Sequence, residues 1–96
     1  MRKFIADKCI EMHANCTTDK YGQVHRDNFV PGIFGERAKE VITYCRNWPG
    51  LLKFSTYGGM FGTYTAFTIE SDVLKRQCRE ALHKNENYIR NINRAW

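Results

Sequence analysis

The stretch LLKFSTYGGMFGTYTAFTI, residues 51–69, decides the fold. It is rich in Thr, Phe and Tyr, its apolar residues recur with a period of two, and Pro49-Gly50 separates it from a helical pattern upstream. A two-residue turn at Gly58-Gly59 would set Tyr57 against Met60 and Phe54 against Thr63. A longer turn from Gly59 to Gly62 is the competing register. The first register places Leu52, Phe54, Phe61, Phe67 and Ile69 on one face with Thr56, Thr63 and Thr65. The opposite face then holds Lys53, Ser55, Tyr57, Met60, Tyr64 and Thr68, with Gly62 and Ala66. A lone hairpin is marginally stable, so the first face is expected to pack on helices, with strands near 51–57 and 61–69. The second is expected to be exposed.

Downstream, Ser71 to Trp96 contains neither Gly nor Pro. Leu74, Cys78, Ala81, Leu82, Ile89, Ile92 and Trp96, with Tyr88 at the margin, follow steps of three and four and predict a buried helical stripe. Arg76, Arg79, His83, Arg90 and Arg94 form a second, basic stripe, bridged by Asn87 and flanked by Lys75 and Lys84. Ser71 suits an N-cap and Asp72 the positive end of the helix dipole. The pattern predicts one long helix over 72–93.

Upstream, Phe34, Ala38, Val41, Ile42 and Cys45 predict a helix near 36–47, with Trp48 as a core anchor beyond its end. Phe4, Ile5, Cys9, Met12, His13 and Cys16 predict a first helix near 3–15, while Ile10 lies off that face. Residues 17–33 show no clear period. Thr17–Gly22 and Asn28–Gly32 carry turn chemistry, and a connection of this length has a role or conceals a short element. The expected architecture is α+β: one domain over 1–96, with two N-terminal helices, a two-stranded antiparallel β-hairpin and a long C-terminal helix.

Composition narrows the function classes. An apolar fraction of 43% is that of a folded chain, and no apolar run nears the ~20 residues of a membrane span. Asp7, Lys8 and Glu11 interrupt any signal-peptide core, so a cytoplasmic protein with no membrane partner is expected. The four cysteines form no Cys-x-x-Cys pair and are expected as reduced thiols. Net charge is +5, and residues 71–96 carry six Lys/Arg against three Asp/Glu. A cationic helix points to an anionic partner, nucleic acid or an acidic protein surface, although exposed helix faces are ordinarily charged.

Four groupings bear on chemistry. The basic stripe offers guanidinium groups to phosphates or carboxylates, while the pairs Arg76–Glu80 and Glu86–Arg90 would make it a self-supporting solvated face. Lys53, Tyr57 and Tyr64, with Tyr44 as an outlying member, combine cation and aromatics as base-stacking surfaces and protein hot spots do. Cys9, His13 and Cys16 share a helical face, with Cys45, Cys78 or His25 as a fourth donor, but they coincide with the apolar stripe and are expected to be core rather than metal ligands. Gly58 to Thr63 is glycine-rich but lacks the lysine and the following helix of a phosphate-binding loop. His13, His25 and His83 have no evident Ser, Cys or Asp partner. His25-Arg26-Asp27 is the nearest approach to a catalytic grouping, and no enzyme activity or cofactor is expected.

The sequence therefore predicts a small basic binding protein. It acts on nucleic acid or a nucleic-acid-handling complex through Arg76, Arg79, His83, Arg90, Arg94, Lys53, Tyr57 and Tyr64. The alternative is a protein–protein inhibitor meeting an acidic surface, in the style of phage or mobile-element accessory proteins that counter host defence. A nucleotide-binding protein using loop 17–33 is a third reading, and homo-oligomerisation is compatible with all three.

Overall fold

In the computed structural model the described residues are 1–18, 24–25 and 28–86. They form α1 (Arg2–Ala14), β1 (Thr17–Thr18), β2 (Val24–His25), α2 (Val30–Phe34), a 3-10 turn (Gly35–Arg37), α3 (Ala38–Asn47), β3 (Leu52–Gly59), β4 (Gly62–Ile69) and α4 (Asp72–His83). The chain is a small α+β protein in which helices pack on one face of the β3–β4 hairpin. The core joins Ile5 and Cys9 of α1, Phe34 of α2, Val41 and Cys45 of α3, Leu52 and Phe67 of the hairpin, and Leu74 and Cys78 of α4. Phe34 is its aromatic hinge, with ring centroids 6.2 Å from Phe4 and 5.2 Å from Phe67. These are the apolar positions that the helical and strand periods select.

The hairpin closes by the competing register, a turn from Gly59 to Gly62 through Met60-Phe61, and not at Gly58-Gly59: Gly59 pairs with Gly62, Tyr57 with Tyr64 and Phe54 with Phe67. A two-residue turn at Gly58-Gly59 would have to take positive φ from those glycines. Instead Gly62 carries it, at φ 121°, and no described residue other than glycine has positive φ. The tight turn thus sits on ordinary side-chain-bearing residues, and the glycine that follows absorbs the awkward dihedral. The new register differs from the expected one by an even number of residues, so the paired side chains keep their faces, but Phe61, expected on the core side, lies in the turn and is fully exposed.

The connection from 17 onward conceals two short elements. Thr17 and Thr18 pair antiparallel with His25 and Val24. Val30-Pro31-Gly32 opens α2 rather than forming the expected turn; proline is accommodated because the first helical N–H groups have no intrahelical acceptor. Gly35, at φ 58°, ends α2 and leads into the 3-10 turn, so the expected single helix near 36–47 is preceded by a bent start. Asn28-Phe29 runs along the outer edge of β4. Phe67 N donates to Asn28 O at 3.0 Å and Phe29 bridges to Ala66.

Two further expectations change. Trp48 is 56% exposed and lies against Tyr44, at 6.2 Å between centroids, so it is no core anchor. Its backbone has left the helix at φ −128° and ψ 78°, which carries the ring away from the stripe of α3. The last helix starts as expected, with Ser71 Oγ accepting from Leu74 N at 3.3 Å. α4 itself ends at His83, Glu86 is again helical, and the rest of the expected span to 93 lies outside the described residues. Asn85 has left the helix and is buried, and its amide donates to Ala14 O and Cys16 O, both at 2.8 Å. That places a polar side chain where it satisfies the carbonyls of Ala14, the last residue of α1, and of Cys16 just beyond it. The expected apolar positions Tyr88, Ile89, Ile92 and Trp96 lie outside the described residues.

Candidate partner-binding surface

The open face of the hairpin bears a row of three rings. Tyr57 and Tyr64, opposite each other on β3 and β4, stack with centroids 5.3 Å apart and planes 23° apart. Phe29, brought alongside by its bridge to β4, meets Tyr64 edge-on at 4.9 Å and 64°. The rings are 49%, 47% and 45% exposed for Tyr57, Tyr64 and Phe29, so each keeps about half its surface for a partner. Lys53 stands exposed on the same face, four residues before Tyr57. Tyr44 belongs elsewhere, against Trp48.

Beyond the rings, Met60 and Phe61 form the hairpin tip at 94% and 100% exposure. From Phe54 to Ile69 the chain has no charged residue. Even the core-side parity of the apex, at Thr56 and Thr63, is exposed. The apex is an uncharged ribbon projecting past the helices, about 10 Å from the tyrosine pair to the tip at the usual strand rise.

Arg76, Arg79 and His83 are exposed on α4, so this part of the basic stripe is presented as expected. Arg90 and Arg94, like Asn87, lie outside the described residues. Arg76 and Glu80 form no ion pair; among the described residues the pairs are Lys8–Glu11 at 3.9 Å and Arg37–Glu40 at 3.2 Å. Arg37 also covers the ring of Phe4, at 4.4 Å to its centroid. On the side of α4 facing the hairpin, Lys75 and Arg79 line a cleft of about 400 Å³ together with Phe67, Ile69, Met12 and His13. Asn28 also lines it, and the next residue, Phe29, begins the aromatic row. A cationic cleft and an aromatic face thus meet at one short segment.

The Cys9-His13-Cys16 grouping is occupied with structural work. His13 is buried, and its Nδ1 lies 3.0 Å from Cys9 O; a carbonyl only accepts, so that nitrogen carries the proton. Cys16 O accepts from Asn85. Burial, reinforced by the nearby Cys78 and Cys45 thiols, pushes Cys9 up to about 12. Burial also raises Cys45, partly offset by a backbone hydrogen bond involving Leu52. Such thiols are protonated at neutral pH and poor nucleophiles. Among the described residues no set of three or more His, Cys, Asp or Glu is arranged to hold a metal ion, and no helix is long and apolar enough to cross a membrane. His25 lies in β2, while Arg26 and Asp27 are outside the described residues.

The sequence pattern places Tyr57, Tyr64 and Lys53 on this exposed face, as the structure does, but does not bring Phe29 to it. Its available signal was an aromatic residue just before a helix opened by proline, where the backbone must still be extended. Comparison with protein families, with curated proteins and with solved structures returns no match to this chain.

Proposed function

We propose that the protein is a binding protein, without catalytic activity of its own, that engages nucleic acid or a nucleic-acid-handling complex. The contiguous row Tyr57–Tyr64–Phe29, half exposed and with Lys53 on the same face, carries the reading; Lys75 and Arg79 line the cleft that begins at Asn28, next to Phe29. Aromatic faces accept bases of any sequence, and nearby cations hold the backbone. Arg76, Arg79 and His83 extend the cationic surface along α4, with Arg90 and Arg94 as further candidates. The test is fluorescence anisotropy with labelled single-stranded oligonucleotides. Tyr57→Ala with Tyr64→Ala should weaken binding about tenfold or more, since stacking contributes ~1–3 kcal/mol per base. Arg76→Glu with Arg79→Glu should also weaken it and flatten its salt dependence, whereas Lys8→Glu, Lys20→Glu and Lys39→Glu together should do less. A wild type that ignores oligonucleotides at low salt would end this reading.

A second reading has its own observation. The uncharged apex with Met60 and Phe61 at its tip has the composition of a protein interface centre, where aromatics and Met are enriched and charges depleted. The protein would then act as an inhibitor or assembly module, inserting the tip into an apolar pocket while its cations meet an acidic rim. Capture of a defined protein after nuclease treatment, lost in Met60→Ser with Phe61→Ser and retained in the tyrosine variant, favours this reading over the first.

A further inference from the structure

We propose that the cleft between α4, β4 and the end of α1 binds a nucleotide by its phosphate. The proposal deepens the nucleic-acid reading by assigning a seat for one phosphate-bearing nucleotide, and its test lets the two fail separately. At about 400 Å³ the cleft lies within the range of small-ligand sites. Its lining divides into two parts. The half-buried Ile69 and Leu82, above the buried Phe67, provide an apolar floor, on which the flat face of a base or sugar can be desolvated. Lys75 and Arg79 stand on one side, separated by a single helical turn, so their Cβ atoms are about 5–6 Å apart. Two cations at that spacing converge on one phosphate group: the guanidinium as a bidentate fork, the ammonium as a point charge.

No Asp or Glu lines the cleft among the described residues, so no carboxylate there competes for the cations. The Asn28 amide adds a neutral donor and acceptor suited to a base edge or a sugar hydroxyl. A fatty carboxylate would leave the Asn28 amide unused; inorganic phosphate would leave the floor uncovered. A nucleotide uses both. Asn28 precedes Phe29, so a strand whose phosphorylated end sits in the cleft can continue over Phe29 and Tyr64.

The experiment is a titration of the full chain with a nucleoside 5′-monophosphate, followed by backbone amide shifts. The parent nucleoside and inorganic phosphate serve as separate probes. Saturable shifts at Asn28, Thr68, Lys75 and Arg79 are expected, with the nucleoside and inorganic phosphate each binding about tenfold more weakly or worse. Lys75→Gln with Arg79→Gln should reduce monophosphate affinity by about tenfold or more while leaving the urea midpoint unchanged, both side chains being exposed. Equal affinity for nucleoside and nucleotide, shifts confined to Tyr57 and Tyr64, or no saturation at millimolar ligand would each overturn the proposal. Oligonucleotide binding that survives loss of monophosphate binding removes the cleft and keeps the aromatic face. Saturation of the cleft without any oligonucleotide binding does the reverse.

Discussion

The root and the apex of the β3–β4 hairpin belong to the same two strands, yet their surroundings are opposite. At the root, Leu52 and Phe67 are buried against Phe34 and the helices. At the apex, from Thr56 through Met60-Phe61 to Tyr64, both faces are open to solvent. The root needs its aromatic residues to fold. At the apex the tyrosine rings meet each other and Phe29, while Met60 and Phe61 are left almost wholly exposed. The exposed Met60 and Phe61 are not accounted for by the folded core, and the partner proposed above would account for them.

That contrast is tested most severely at the root. Phe67→Ala should destabilise the protein by about 3–5 kcal/mol, read from urea unfolding, because it empties a filled site against Phe34. A loss near that of a surface change would mean that the hairpin root is not part of the cooperative core.

Alkaline pH probes the same core without mutation. Below its ordinary value of 9.0 the Cys9 thiol is neutral in both folded and unfolded chains, and its contribution to stability is fully present. Between 9.0 and about 12 the unfolded chain releases this proton while the folded chain retains it, so stability must fall as pH rises. Urea midpoints measured across this window, in wild type and Cys9→Ala, should differ in slope, with the wild type falling more steeply. Parallel slopes would remove the buried thiol as the cause.

Smaller effects locate the boundary between the two regions. Asn85→Ala deletes the donor shared by Ala14 O and Cys16 O and should cost about 1–3 kcal/mol in the same assay. At the apex, Met60→Ser with Phe61→Ser should change stability by no more than about 0.5 kcal/mol while altering partner capture. A large loss of stability there would return the apex to the fold and erase the contrast.

Legibility in the sequence follows the range of the forces involved. Ile5, Cys9, Val41, Cys45, Leu74 and Cys78 were all recoverable because each helix has one buried stripe and local spacing reports it. The hairpin's faces were recoverable for the same reason, as alternation survives an even register shift. The turn was narrowed only to two closures, at Gly58-Gly59 or from Gly59 to Gly62, because the three glycines admit both; the pairing of Gly59 with Gly62 selects the second. Trp48 misled because size and apolarity suggest burial, whereas the chain had already left α3. The end of α4 was hidden because Asn85 acts through a tertiary partner about seventy residues away. On the surface, Tyr57 and Tyr64 could be placed from strand parity, but Phe29 joins them only through a long-range bridge to Ala66.

The Asn85 amide also bears on the order of events in folding. Its partners Ala14 and Cys16 are separated from it by 71 and 69 positions, so this contact closes a loop containing α2, α3 and the whole hairpin. Closing so long a segment before its contents are ordered is entropically unfavourable, while the hairpin and the short helices can form from nearby partners. The amide should therefore engage after the rate-limiting step. Its removal should shorten the lifetime of the native state while leaving the speed of acquiring it nearly unchanged, making this side chain a latch on escape rather than a guide to assembly.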